Sequence, residues 1–174
     1  IWTLMASTIF IYTANISIIF VEHLGLALDS FGIYQSLTIG TFSVFSLLSP
    51  YFIGRFGAKR TRDFGTCSFI IGSFAFLAIG VVFPSNIVAI AGVMAFISMG
   101  CALSMVVYFA QSVEGIDESG TAVALGQAIR LILLFSLVDL SRMLFDGTIL
   151  SVSAIVFAVA VSVLSLVIID RSRM

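Results

Sequence analysis

The residue types that do chemistry are sparse in this chain, and they do not assemble into a reacting group. The single histidine, His23, lies in a polar turn, while Cys67 and Cys101 stand alone inside apolar stretches, where a thiol behaves as a small hydrophobe. There is no nucleophile beside a positioned base and no pair of carboxylates within the apolar stretches. The sequence therefore predicts no catalytic residue, no enzyme, no metal site and no cofactor.

What remains is charge and hydrogen bonding in apolar surroundings. Arg130 follows Gln127 by three residues, so the two share a helix face. Arg130 lies 11 residues beyond Ser119, and at 1.5 Å per residue that is roughly 16 Å along a helix, near the middle of a bilayer. A charge there costs between about 2.5 and 17 kcal/mol and usually faces a bundle interior or a wet cavity. The pair thus predicts a polar stripe in a substrate-binding cavity; the alternatives are that Arg130 snorkels to the interface or pairs with an acid on another helix. Tyr12 and Asn15, also three apart, form a second polar pair. The Asn15 amide needs hydrogen-bond partners, either on a cavity wall or as a link between helices. Gln35 joins the candidate binding residues from the start of the second apolar run, beside Tyr34. Asp139, Arg142 and Asp146, spaced by three and four, are expected to pair along one helix face near a membrane surface.

These side chains sit in a chain of 174 residues that is 60% hydrophobic and 10% charged, with a mean hydropathy of +1.22. Soluble domains carry about 25% charged residues, and no soluble fold covers so much apolar surface. Six apolar runs, at about 1–22, 31–56, 63–83, 86–110, 120–145 and 148–169, each approach or exceed the ~20 residues that cross ~30 Å of hydrocarbon. The expected fold is an all-α membrane protein, a single bundle of six transmembrane helices in the lipid bilayer. Asp29 and Ser30 offer an N-cap for the second helix. Pro84, Ser85 and Asn86, the polar stretch Glu114, Gly115, Asp117 and Glu118, and Asp146-Gly147 mark further turns. Gly92, Ala95, Gly100 and Ala102 in the fourth run, with Gly120, Ala124 and Ala128 in the fifth, are expected where helices approach closely. A net charge of -1 without a basic field excludes nucleic acid as a partner. Because Ile1 stands in the middle of an apolar run, the chain reads as a piece whose beginning is missing.

Loops rich in Lys and Arg stay cytoplasmic. Arg55, Lys59, Arg60 and Arg62, after the second run, and Arg171 and Arg173, after the sixth, fall on one side of a six-span bundle. The opposite loops hold only Glu22, His23, Asp29 and Asp146, with Arg142 at a helix end. Both termini are therefore expected in the cytoplasm.

The turn Gly54-Arg55-Phe56-Gly57-Ala58-Lys59-Arg60 resembles the signature turn of the major facilitator superfamily. In that family the pattern is Gly, three residues, Asp, Arg, any residue, Gly and two basic residues. Here Arg55, Gly57 and the basic pair Lys59 and Arg60 match, while Pro50 and Gly54 occupy the Gly and Asp positions, a departure expected of the copy in the second half of such transporters. The stretch from Ile19 to Gln35, with Glu22-His23-Leu24-Gly25-Leu26 and Phe31-Gly32, resembles the connection between helices seven and eight of the Bcr/CflA drug-resistance transporters. Ser119-Gly120-Thr121-Ala122, with Gly126 behind it, is similar to the approach to their eleventh helix.

The resemblance covers essentially the whole chain and implies helices seven to twelve of a twelve-helix transporter of the bacterial inner (plasma) membrane. It implies proton-coupled efflux of drugs or small metabolites, so that a small-molecule substrate, protons and a missing N-terminal six-helix half are the partners. Arg55, Gly57, Lys59 and Arg60 would form a gating turn, and the first, second, fourth and fifth spans the cavity wall. Any proton-carrying carboxylate would lie in the missing half. Independently of family, a charged tight turn after the second span and a longer loop after the third fit a 3+3 inverted repeat. Two alternatives stand beside this: a non-transporting membrane scaffold or assembly protein, and a six-helix transporter acting as a homodimer.

Overall fold

The computed structural model describes residues 1–113 and 119–172, and all the regular elements among them are helices. Helix α1 (Trp2–Ser17) continues into a π-helical segment, Ile18–His23, followed by α2 (Leu28–Phe56), α3 (Ala58–Val82), α4 (Ile87–Val113), α5 (Ser119–Met143) and α6 (Ile149–Ser172). Six helices are long and apolar enough to cross a membrane. The acidic stretch Glu114, Gly115, Asp117 and Glu118 and the terminal Arg173 lie outside the described residues.

Several boundaries differ from those expected, each for a local reason. Helix α2 begins at Leu28 with Ala27 as its N-cap, so Asp29 lies in the first turn instead of capping it, and its charge complements the helix dipole there. Helix α3 begins at Ala58 because Lys59, Arg60 and Arg62 continue the helix instead of forming a loop. Gly57 alone joins α2 to α3, with φ 86° and ψ 152°, a conformation that an L side chain rarely adopts. Its N–H donates to the Ile53 carbonyl, and its own carbonyl accepts from Thr61 N at 3.1 Å. At the opposite end of the bundle, Asn86 Oδ1 accepts from Ala89 N at 3.1 Å and starts α4, and Thr148 Oγ1 accepts from Ser151 N at 3.3 Å and starts α6.

Helices α1 and α4 touch each other at the centre of the bundle; α3 packs on α4 and α6, α6 also on α1, α2 mainly on α4, and α5 mainly on α1. The core fills with Met5, Tyr12, Phe69, Phe76, Met94 and Ile97. The closest approach joins α3 to α4. A Cβ on Gly65 would stand 2.7 Å from the Gly100 carbonyl oxygen, and one on Gly100 would stand 2.7 Å from both Gly65 O and Phe69 N. The small residues that are packed include Gly100 and the buried Ala102 on α4 and, on α3, Gly65, Gly72 and Gly80. Gly92 and Gly120 would meet nothing, and Ala124 and Ala128 are exposed, which corrects the expectation of close packing along α5. Helices α2 and α5 keep most of their surface uncovered, with Leu47 83% and Met143 84% exposed. Apolar surface on that scale is covered by lipid or by another protein surface.

Candidate functional site

Faces of four helices converge on one open trough. Trp2, Ala6, Ile9, Phe10 and Thr13 follow each other at helical spacing along one face of α1. Ile39, Phe42 and Ser46 face them from α2, Ala102, Met105 and Phe109 from α4, and Gly126, Gln127 and Arg130 from α5. Three adjoining hollows of about 320, 190 and 260 Å³ share Arg130. The hollow between Ile9, Ile39 and Met105 is almost wholly apolar, whereas the two beside Trp2 combine an apolar lining with Thr3, Ser46, Ser112, Gln127 and Arg130.

Arg130 is the charged group of that wall, and its surroundings are specific. The guanidinium carbon lies 4.4 Å from the centre of the Trp2 ring, a cation–π contact. Nη1 donates to Gln127 Oε1 at 3.2 Å, and Nε is buried without a hydrogen-bond partner. No carboxylate among the described residues pairs with it. Trp2 in turn stacks edge-on against Phe109 at 5.3 Å, four residues before the end of α4. Helical side chains lean toward the N-terminus of their helix, and the bond to Gln127 shows that this one does. Its charge therefore sits about one turn inside the apolar part of α5, toward the connection from α4.

The other predicted binding residues, Gln35, Asn15 and Tyr12, line none of the three hollows. Gln35 Nε2 donates to Thr13 Oγ1 at 3.0 Å, at the far end of the trough from Trp2, and Gln35 Oε1 is left without a partner. Asn15 is buried; its Nδ2 donates to Ile11 O at 2.8 Å and to Ser141 Oγ of α5 at 3.2 Å. Tyr12 is fully buried, with its hydroxyl turned to Thr38 of α2, and stacks on Phe76 of α3. Asn15 and Tyr12 thus link helices inside the bundle and line none of the three hollows.

At the α2–α3 turn, Arg55, Lys59 and Arg60 are exposed around Gly57. Arg62 differs: it is 6% exposed, forms an ion pair with Asp63 at 3.1 Å and donates through Nη1 to Gln111 Oε1 at 3.0 Å. It also lies 5.5 Å from the Tyr108 ring centre, so it fastens α3 to the end of α4. The sequence shows Arg62 only as one member of a charge cluster; the signal that separates it is Gln111, a polar residue near the end of an apolar helix.

The expected trio Asp139, Arg142 and Asp146 does not form. Helix α5 stops at Met143, no ion pair joins Asp139 to Arg142, and Asp146 turns to the next helix. Its Oδ1 accepts from Thr148 Oγ1 at 2.6 Å and from Thr148 N at 2.9 Å, and these bonds hold the carboxyl below its ordinary range. On the same side of the bundle, His23 Nδ1 lies 2.6 Å from the Gly147 carbonyl oxygen, donating to it and tying the α1–α2 turn to the α5–α6 turn. Gly147 has φ 87°, and a Cβ there would stand 2.7 Å from His23 Cε1. Among the described residues, no group of three His, Cys, Asp or Glu side chains is placed to hold a metal ion. Comparison with family models, with curated proteins and with solved structures finds no match to this chain.

Proposed function

We propose that this chain is one six-helix half of a secondary active transporter of the major facilitator type, in which proton exchange drives the efflux of drugs or small metabolites. The observation that carries the reading is the trough: four helix faces form an open apolar wall with a single fixed charge, Arg130, set against Trp2 and Gln127. Binding sites for small amphipathic molecules combine a largely apolar lining with a few placed polar groups. The helix contacts support the 3+3 repeat. Exchanging α1 with α4, α2 with α5 and α3 with α6 maps the α2–α4 contact onto α5–α1 and the α3–α4 contact onto α6–α1, and leaves α1–α4 and α3–α6 in place. In this reading the membrane is a bacterial inner membrane, and the exposed basic residues of the α2–α3 turn favour the cytoplasmic side for that end of the bundle, with both termini. A guanidinium is a fixed charge and not a proton carrier. Coupling protons therefore travel through a carboxylate outside this trough.

Water access and ligand protection test the proposal together. With Cys67 replaced by Ser and Cys101 left in the core, cysteines introduced one at a time at Thr13, Phe42 and Gln127 are treated in membranes with a charged, impermeant thiol reagent, with Val161 on α6 as the lipid-facing control. All three trough positions are expected to react, Val161 is not, and amphipathic substrates are expected to protect Gln127→Cys. Inert trough cysteines, or labelling that no member of a drug and metabolite panel slows, would leave a non-transporting bundle as the better reading.

A further inference from the structure

The strongest feature outside the trough is a second hollow, of about 320 Å³, on the flank of the α2–α3 turn, lined by Phe52 and Phe56 of α2 and by Arg60, Thr61 and Phe64 of α3. Its floor is aromatic, and Arg60 is the charged residue that lines it, with Arg55 and Lys59 exposed beside it on the same turn. Phe52 stands four residues before the end of α2 and Phe64 six residues into α3, so the floor reaches about 6 to 9 Å below the turn at 1.5 Å per residue. That is the depth at which lipid headgroups give way to acyl chains. Thr61 is already committed, its Oγ1 donating to the Gly57 carbonyl at 3.0 Å. Arg55, Lys59 and Arg60 are exposed, and no carboxylate among the described residues pairs with any of them; Arg55 lies 6.0 Å from the Phe56 ring centre. Arg62, three positions from Lys59, shows the contrast, since Asp63 and Gln111 satisfy it.

We infer that this hollow is a binding site for one anionic phospholipid, with its phosphate on Arg60, its field supplied by Lys59 and Arg55, and the start of an acyl chain laid between Phe52, Phe56 and Phe64. Charge complementarity selects the occupant. A zwitterionic choline headgroup would place a fourth positive charge among three, and a soluble phosphate ester would leave the aromatic floor uncovered. Basic residues next to a membrane helix attract anionic lipid in this way. The site stands whether or not the trough carries a substrate, because the two share no residue.

The test uses the purified chain in mild detergent with phosphatidylglycerol, phosphatidylcholine or glycerol 3-phosphate as probes, read by native mass spectrometry and by thermal shift. Phosphatidylglycerol adducts are expected to survive at about five times the level of phosphatidylcholine adducts or more. Arg60→Gln should bring them to the phosphatidylcholine level, Arg60→Lys should restore most of the difference, and Phe64→Ala should lower the retention of both lipids. Arg60 makes no hydrogen bond that holds the turn, and the double variant R55Q/K59Q, at two exposed positions, gives a second reading, with a partial loss expected. Equal retention of the two lipids, or retention indifferent to both sets of variants, would overturn the site. Competition by glycerol 3-phosphate as strong as by phosphatidylglycerol would overturn the lipid and leave a soluble phosphate ester as the ligand.

Discussion

Replacing Gly100 by Ala tests what holds the bundle together. The added Cβ would stand 2.7 Å from Gly65 O and from Phe69 N, whereas ordinary van der Waals contact begins at 3.4 Å. The facing atoms are backbone within a helix, so no side chain can turn aside; α3 and α4 must move apart by about 0.7 Å. A gap of 0.5 to 1 Å forfeits roughly a quarter to a half of each dispersion contact across it. Overpacking of this kind costs about 1 to 3 kcal/mol, while exchanging Gly for Ala within a helix returns up to ~1 kcal/mol of backbone entropy. The steric term wins. Net destabilisation should therefore be about 1 to 2 kcal/mol, read as a lowered Tm or a lowered denaturant midpoint in detergent. Gly92→Ala is the matched control, since nothing lies within 4 Å of its Cβ position, and it should be neutral or slightly stabilising. If the two variants had equal Tm values, the Gly65–Gly100 contact would not be the close approach described above.

Four further outcomes are expected. Arg130→Gln loses a cation–π contact worth about 0.5 to 2 kcal/mol but leaves no carboxylate among the described residues unpaired, so Tm should move little while transport or binding of anionic substrates falls more than that of neutral ones; a uniform loss with a collapse of Tm would refute the selectivity role. Asn15→Val removes the bond to Ser141 and should cost about 0.6 to 2 kcal/mol, and Ser141→Ala in that background should cost almost nothing more; additive losses would show that the two residues act separately. The Asp146 carboxyl is depressed in the folded chain chiefly by its Thr148 bonds, so its contribution is present above the unfolded carboxyl range and drains as pH falls through the folded value; the stability gap between the parent and Asp146→Asn should exist at pH 7 and close below about pH 4, and a gap constant from pH 3 to 7 would refute the assignment. A C-terminal reporter after Met174 should be active in the cytoplasm, and activity only on the opposite side would reverse the orientation.

Helix number and the turns at Gly57, at Pro84–Asn86 and at Asp146–Gly147 were legible in the sequence because they depend on one-dimensional quantities, namely the length of apolar runs and the clustering of turn residues. Contacts between helices were less legible. Gly65 and Gly100 are 35 residues apart, and nothing in the spacing of α4 alone says that Gly100 meets a partner while Gly92 faces outward. For Arg130 the helix face was readable from Gln127, but counting Cα positions does not place its charge, because the side chain runs back along its own helix. The links Asn15–Ser141, Arg62–Gln111 and His23–Gly147 span 126, 49 and 124 residues. Each joins polar residues that look ordinary until the fold brings them together.

Those links also say where the bundle can give way. Helix α5 carries Arg130, yet only 6% of its apolar stretch is buried, against 56% for α1 and for α4. It is attached chiefly to α1, by the Trp2–Arg130 contact toward one end and the Asn15–Ser141 bond toward the other. The first of these is a cation–π contact that a bound anion would compete with by drawing on the same guanidinium. The second is a neutral hydrogen bond well away from it. Elements with few buried contacts have the lowest free energies of local opening, so the helix that presents charge to the trough is also the one most easily displaced. A ligand that prefers one placement of α5 shifts the population by its difference in affinity between the two placements and by no more than that. Binding at Arg130 would therefore compete with one attachment of α5, the Trp2 contact, and leave the other, the Asn15–Ser141 bond, untouched.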